Sequence, residues 1–283
     1  LVFKGKGPGM WNWVIGYDAK ADKFLDTNVS YKFSGFTTLK VGQYKQPNSL
    51  EELSSTKNND FISKAMTTNL QAVGRRVGLA LGTGADNWTV LGSVFTRELT
   101  RNLGEGNGFG GRATWAPILD TGSFLHLGLS GVQYDARDAG SAVGANPSFD
   151  GDGRARFRVR PDADLTGTRL IDSGQITDGD KIRTVGLEGV WVRNSFKLQA
   201  EYMDTNLSRD THDDYGFDSY YVSAVYNLTG ETWGYKDGVM STPLPNAPAS
   251  GMWQLGLRYD HADLNDGSFT APATVLGADP VTD

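Results

Sequence analysis

The feature that most constrains the fold is an alternation of apolar and polar side chains with a period of two residues. In a β-strand, neighbouring side chains point to opposite faces, so such a run has one apolar and one polar face. A clear example spans residues 124–134. Its two faces carry Leu125, Leu127 and Leu129 against His126, Gly128 and Ser130. Helical periodicity is hard to find, so the pattern favours strands throughout.

The alternation divides the chain into about twelve predicted strands of roughly 8–12 residues. Their spans are 10–18, 25–33, 36–44, 73–82, 87–96, 109–116, 124–134, 153–160, 182–193, 195–204, 217–228 and 251–261. Short turns alternate with long connections rich in Asp, Gly, Asn and Pro, which are 135–152, 162–180 and 229–250. Short turns at one end and long loops at the other are typical of outer-membrane barrels. We therefore predict an all-β fold, a transmembrane antiparallel β-barrel.

The hydropathy of the chain is compatible with a barrel but does not require one. Mean hydropathy is −0.38, and no apolar run is long enough for a transmembrane helix. A membrane barrel averages out as polar because lipid-facing and lumen-facing residues alternate. A soluble β-sandwich or jelly roll would show the same alternation with its apolar face hidden. A soluble all-β binding protein therefore stays open as an alternative.

Composition argues against several other classes of function. The formal net charge of −6 disfavours nucleic acid as a partner. The chain has no cysteine and three histidines, which argues against thiol chemistry and a zinc hydrolase. Common hydrolase and nucleotide-binding motifs are absent, so we predict no enzyme activity, cofactor or metal site. The Asp-Gly run at 150–153 could bind Ca²⁺, but turn chemistry explains it equally well.

One predicted strand carries four arginines at every second position. The residues are Arg154, Arg156, Arg158 and Arg160, alternating with Ala155, Phe157 and Val159. Same-face neighbours in a strand lie about 6.6–7 Å apart, and like charges at that spacing repel by roughly 0.6 kcal/mol in water. A row of guanidinium groups offers successive sites for an anion. We expect the arginines to face a pore and their apolar partners to face lipid; a solvated edge strand is the alternative.

Other basic residues also occupy polar positions in the alternating pattern of their strands. Lys40, Arg76 and Arg112 each lie opposite apolar neighbours, as do Lys32 and Arg258. If the polar faces converge, these residues line one lumen. Glu188, Glu201 and Asp260 fall on the same face, so the predicted lumen is mixed in charge.

The connection 46–72 differs from the other loops. Ser49 is followed three residues later by Glu52, which resembles a helix capping box. The segment is long enough to fold back on the sheet rather than simply turn. We predict a loop that folds back.

Several segments resemble one known family, the porin O and P family of phosphate- and polyphosphate-selective outer-membrane porins of Gram-negative bacteria. The most specific segment is residues 41–57, V-G-Q-Y-K-Q-P-N-S-L-E-E-L-S-S-T-K. The match continues through G-R-R-V-G-L-A-L (74–81), D-N-W (86–88), R-P-D (160–162) and T-R-L-I-D-S-G (168–174). The resemblance covers most of the chain.

The resemblance implies a homotrimer of barrels in outer-membrane lipid, each of about sixteen strands, passing phosphate or other small anions without a reaction. It implies that residues 46–72 fold into the pore and that Arg154, Arg156, Arg158 and Arg160 form an arginine ladder. Lys57, Lys64 and Arg76 become candidates for the constriction. A general or differently selective porin of the same fold is the alternative.

The chain departs from the family pattern in strand number and at its ends. Residues 1–283 are expected to form one partial barrel domain of about twelve strands. The final L-G-A-D-P-V-T-D does not resemble a terminal strand. We expect a fragment that lacks both ends of the full barrel.

Overall fold

The computed structural model describes residues 1–35, 37–100, 106–136, 149–150, 154–160, 167–176 and 178–266. A 12-stranded antiparallel sheet dominates the fold. In chain order its strands are β1 (Val2–Lys6), β2 (Trp11–Asp18), β3 (Lys23–Ser34), β4 (Thr37–Lys45), β5 (Arg75–Ala85), β6 (Trp88–Phe95), β7 (Gly108–Asp120), β8 (Ser123–Asp135), β13 (Gly179–Arg193), β14 (Phe196–Arg209), β15 (Tyr215–Asn227) and β18 (Gln254–Asp263). The predicted all-β antiparallel fold is confirmed.

Short elements fill the longer connections. The helices are α1 (Leu50–Leu53), a 3₁₀ turn (Thr56–Asn58) and α2 (Met66–Gln71). The short strands are β9 (Phe149–Asp150), β10 (Arg154–Ala155), β11 (Arg158–Val159), β12 (Ile171–Asp172), β16 (Gly234–Lys236) and β17 (Val239–Ser241). Each short strand pairs within a two-stranded sheet: β9 with β10, β11 with β12, and β16 with β17. In the described part of the chain, no helix is long and apolar enough to cross a membrane.

Neighbours in the main sheet follow chain order from β1 to β18, with the short strands left out. Because neighbours are antiparallel, the connections after β2, β4, β6, β8 and β14 leave from one end of the sheet, which we call the loop rim. The connections after β1, β3, β5, β7, β13 and β15 leave from the other end, the turn rim. Among the described residues no ladder joins β1 to β18.

Over most of its strands the sheet exposes its apolar face and covers its polar face. On the apolar face, Leu129 is 52% and Leu187 is 54% exposed. On the polar face, His126 is 0% and Glu201 is 2% exposed. A soluble sandwich would bury the apolar side chains instead, because burial of apolar area drives its folding. The observed arrangement is that of a strand wall whose apolar face meets lipid.

All predicted strands except 153–160 correspond to strands of the main sheet, within a few residues at each end; Phe36, at the start of one of them, lies outside the described residues. The sequence pattern missed β1, whose five residues include Gly5 and show no clear contrast between the two faces. The main sheet therefore has the predicted number of about twelve strands, but it contains β1 in place of the predicted strand 153–160.

The prediction of a wall strand at 153–160 is wrong. In the described part, this segment forms the short strands β10 and β11, which are not part of the main sheet. The expectation that its apolar residues face lipid is also wrong. Ala155 and Phe157 are buried in a cluster with polar-face residues near the loop rim, including Tyr134, Ile182 and Leu207. The segment therefore lies against the polar face.

Candidate anion-binding site on the polar face

The arginine segment is held by an antiparallel partner, residues 171–176. Arg158 pairs with Asp172 and Val159 with Ile171 across β11 and β12. Farther along, Ala155 and Ile176 exchange backbone hydrogen bonds of 2.8 Å in both directions. The Ser173 N–H donates to the Phe157 carbonyl at 2.9 Å, and the Ser173 hydroxyl accepts from Phe157 N–H at 3.0 Å. We call residues 154–160 with 171–176 the arginine hairpin.

The apolar side of the arginine hairpin packs against aromatic residues of β15. The Phe157 ring lies 4.6 Å from the Phe217 ring and 6.0 Å from the Tyr215 ring, between centroids. Ala155, Phe157 and Val159 are all buried. Burying a phenylalanine side chain contributes roughly 1.5–3 kcal/mol. The segment is therefore fixed with its apolar side on the wall.

The arginines of this row do not share one environment. Arg156 forms a bidentate ion pair with Asp172, with Nε and Nη2 at 2.7 and 2.6 Å from the two carboxylate oxygens. Arg158 has a buried Nε with no hydrogen-bond partner among the described residues. Burial lowers the pKa of Arg158, and the positive charges of Arg169 and Arg156 lower it further.

Arg154 and Arg160 are the two ends of the predicted ladder. Arg160 is half-buried. Of Arg154 the structure describes the backbone, which pairs with Asp150 in the ladder of β10 with β9. Arg169 was not predicted from the sequence, and its electrostatic effect on Arg158 places it in this group.

Residues 46–72 also lie on the polar face. The Leu50 and Glu51 N–H groups at the start of α1 donate to the Glu201 carboxylate at 2.8 and 2.9 Å. The Ser49 hydroxyl accepts from Glu52 N–H at 3.2 Å, so the predicted helix cap is confirmed. Leu50 is fully buried in a second apolar cluster with Phe124, Val190 and Val225.

A second set of contacts holds the later half of this loop. The Met66 N–H donates to Asp260 Oδ1 at 2.7 Å. Glu51 Oε2 accepts from Ala65 N–H and from the Thr68 hydroxyl, both at 2.8 Å. Burial raises the pKa of Glu51 although these hydrogen bonds act in the opposite direction. The loop is therefore attached to the wall at both its helices, and α2 lies next to β11 of the arginine hairpin.

A third segment reaches the same face from the turn rim. The hairpin β16–β17 places Trp233 and Met240 in the apolar cluster of Leu50. The Asn58 side chain donates to the Met240 carbonyl at 3.3 Å, and Trp233 Nε1 donates to Asp60 at 3.2 Å. Segments from opposite rims thus meet near the middle of the polar face.

Most cations at the centre of the polar face are neutralised. Glu188 Oε1 accepts from Arg112 Nε at 2.9 Å and contacts His126 Nε2 at 3.0 Å. Lys197 forms an ion pair with Asp60. Arg258 Nε lies 2.8 Å from Asp260 Oδ2. Arg112 was predicted to line the pore; in the structure it is a buried partner of Glu188 that also donates to the Gly238 carbonyl at 2.7 Å.

Glycine at position 128 is a steric requirement of this cluster. It lies opposite Glu188 in the ladder of β8 with β13. A Cβ at this position would overlap the Glu188 carboxylate. The absence of a side chain therefore leaves the space in which Glu188 reaches Arg112.

A basic cavity lies beside the first strands of the sheet. It has a volume of about 700 Å³. The charged residues that line it are Lys4, Lys6, Lys40, Lys45, Arg75 and Asp26. A smaller neighbouring cavity of about 320 Å³ shares Lys40 and Lys45 and adds Lys32 and Arg112. We call the larger one the lysine cavity.

Charge in the lysine cavity is only partly balanced. Arg75 Nε lies 3.1 Å from Asp26, and Lys45 lies 3.8 Å from Glu52. Lys4, Lys6 and Lys40 have no ion-pair partner among the described residues, and Lys40 lies 5.4 Å from the Tyr44 ring centroid. Only Lys40 of these three was predicted. Lys4 and Lys6 are two residues apart in β1 and therefore lie on the same face. This spacing was visible in the sequence.

The remaining predicted residues are placed as follows. Arg76 is buried on the polar face and donates to the Arg75 carbonyl at 2.8 Å. Lys64 forms an ion pair with Glu52. Lys57 is exposed in the 3₁₀ turn. No described group of His, Asp and Glu residues has a metal-binding arrangement, and residues 151–153 of the Asp-Gly run lie outside the described residues.

An exposed apolar face, a buried polar face and inward-folded connections define a protein of the porin class. The sequence matches the family described as phosphate-selective porin O and P over residues 1–278. The chain belongs to this family, and the predicted resemblance is confirmed.

Two curated relatives are similar to this chain. Porin O of Pseudomonas aeruginosa is 26% identical over 292 residues, which cover 92% of this chain and 64% of the relative. A Caulobacter vibrioides protein described as uncharacterized is 28% identical over 278 residues, covering 89% of this chain and 52% of the relative. The chain thus spans between about half and two thirds of the length of these relatives.

Proposed function

We propose that this chain forms the wall and constriction of an outer-membrane porin that passes phosphate-type anions by passive diffusion. The observation that carries the proposal is the inverted burial of the sheet, with apolar side chains exposed and a charged polar face covered by folded-in segments. Family membership supports the same function. The partners are outer-membrane lipid and small anions, and no reaction is involved.

The lysine cavity and the arginine hairpin are the proposed anion sites. Ammonium and guanidinium groups bind oxyanions, and a row of sites of similar depth lets an ion enter and still leave. Among the predicted residues, Lys40, Arg158 and Arg160 are proposed to contact the anion, with Arg154 and Arg156 as further members of the row. Arg112 instead takes a structural role, because Glu188 neutralises it.

Residues 46–72 are proposed as the constriction loop. Both of its helices are hydrogen-bonded to the wall, and residues from the opposite rim contact it near Asn58. Lys57 is the stronger candidate for an anion contact, since Lys64 is paired with Glu52. Arg76 is proposed to support the loop from β5 rather than to bind the anion.

Conductance measurements test this function. The protein is reconstituted in planar bilayers with potassium chloride, and phosphate is then added. We expect anion selectivity and a concentration-dependent block of chloride current by phosphate. An anion-selective pore without phosphate block would favour a differently selective porin. A protein that stays monodisperse without detergent would overturn the assignment to the membrane.

A less selective porin of the same fold is the second candidate. The neutralised pairs of Arg112, Lys197 and Arg258 favour it, because they remove much of the positive charge from the centre of the polar face. The ratio of anion to cation permeability distinguishes the two candidates. A homotrimer is proposed from the family resemblance, and electrophoresis of unheated samples with chemical cross-linking tests it.

A further inference from the structure

Asp172 lies beside the predicted arginine row. Both of its carboxylate oxygens contact Arg156, at 2.7 and 2.6 Å. It also accepts the Gly174 N–H at 3.0 Å, which fixes the carboxylate in place. Its backbone pairs with Arg158 through β11 and β12. Asp172 thus lies beside two successive arginines of the row.

The pair of Asp172 with Arg156 is only partly exposed, with 22% and 29% of the respective side chains accessible. Burial alone would raise the pKa of Asp172. The hydrogen bonds from Arg156 and the Gly174 N–H, together with the charges of Arg156 and Arg158, outweigh this and hold the pKa below its ordinary value. The carboxylate is therefore ionised at neutral pH and cancels the charge of Arg156.

Asp172 also occupies the groups that an oxyanion would use. A guanidinium group binds carboxylate and phosphate oxygens through the same fork of N–H donors. An anion that reaches Arg156 must therefore compete with a carboxylate built into the chain. Conduction requires binding that is weak enough for the ion to leave. Without this carboxylate, Arg156 would hold a divalent oxyanion more tightly.

We propose that Asp172 is a specificity-determining residue that acts through Arg156 as an internal competitor and sets the oxyanion affinity of the arginine row. The inference rests on the proposed function of the chain as an anion-conducting porin. Asp172 lowers the local positive charge by one unit, so anions bind and leave the row rather than remain on it.

The test compares the wild type, Asp172→Asn, Arg156→Gln and the double variant in planar bilayers, with phosphate block of chloride current as the readout. A unit charge at about 6 Å changes affinity by about three- to tenfold in a partly solvated site. We expect Asp172→Asn to tighten phosphate block by that factor and to raise the ratio of anion to cation permeability. Arg156→Gln leaves the Asp172 carboxylate without its partner, so it should weaken phosphate block by a similar factor.

The double variant distinguishes the electrostatic role from a structural one. It restores the net charge of the original pair, so phosphate block should return to within about twofold of the wild type. The matched control is Asp180→Asn, which removes a carboxylate near the loop rim that pairs with the half-exposed Lys181 and should leave the block unchanged.

Three results overturn the inference: unchanged block in Asp172→Asn, weaker block in Asp172→Asn, or tighter block that persists in the double variant. Failure of the proposed function gives a different result, because the wild type itself would then show neither anion selectivity nor phosphate block. Heat-dependent electrophoretic mobility confirms that each variant is folded.

Discussion

The cations of the polar face fall into two groups with different surroundings. At its centre, Arg112, Lys197 and Arg258 each lie against a carboxylate and are almost fully buried. In the lysine cavity, Lys4, Lys6 and Lys40 have no such partner in the described part of the chain. The difference shows that a position on the polar face does not by itself make a cation an anion site. The first group holds segments together, and the second supplies anion contacts in the function proposed above.

The largest expected effect comes from breaking a central pair. In Glu188→Gln, Arg112 keeps its charge but loses its carboxylate, and removing one partner of a buried pair costs about 3–5 kcal/mol. We expect a lower unfolding temperature in detergent. Asp204→Asn, on the exposed face, is the control and should unfold like the wild type. Equal unfolding temperatures for Glu188→Gln and the wild type would remove the distinction between the two groups.

Much of the wall could be predicted from the sequence, because a period of two residues in β8, β13, β14 and β15 leaves no other regular structure. The pairing of cations could not. Arg112 and Glu188 are 76 residues apart in the chain, and their contact exists only because β8 lies between β7 and β13. Parity places both residues on one face but does not say which neighbours they meet.

The arginine hairpin shows a second limit of the pattern. Alternation has the same period in a strand of the wall and in a strand that lies against the wall. It therefore could not reveal that Phe157 is buried on the polar face beside Phe217 rather than exposed to lipid. The long connections on either side of the segment were the only available signal that it stands apart from the sheet.

A smaller effect is expected where a central pair anchors the proposed constriction loop. In Asp260→Asn, Arg258 loses its nearest carboxylate and keeps Glu51 Oε1, at 3.8 Å, as a charged neighbour. The Met66 N–H loses a charged acceptor. Leaving such buried groups imperfectly paired costs about 1–3 kcal/mol. We expect faster tryptic cleavage after the exposed Lys57, followed by mass spectrometry. Lys57→Gln in the same background should abolish this fragment, and cleavage at the wild-type rate would show that the anchor is not needed.

A substitution in the lysine cavity should change ion selectivity and leave stability unchanged, the reverse of a substitution in a central pair. Lys40→Gln removes a charge that forms no ion pair with a described carboxylate, so the unfolding temperature should stay within experimental error of the wild type. The ratio of anion to cation permeability should fall by about two- to threefold, because one unit of positive charge is lost from the lining of the cavity. Lys20→Gln, at an exposed turn on the loop rim, is the control. Loss of folding without a change in selectivity would place Lys40 in the structural group.

The smallest expected effect is that of mild acid on the arginine hairpin. Because the pKa of Asp172 in the folded protein lies below its ordinary value of 3.8, the stabilisation from its pair with Arg156 is fully present above that value. It is lost only as the pH falls through the lower pKa of the folded state. The difference in chloride selectivity between the wild type and Asp172→Asn should therefore be the same at pH 7 and pH 5. It should disappear only below about pH 4, where Asp172 begins to bind a proton and the two proteins become electrostatically alike. A difference that vanished already at pH 5 would mean that Asp172 is not held ionised by Arg156, and the hairpin would then belong with the lysine cavity as a region of unpaired cations.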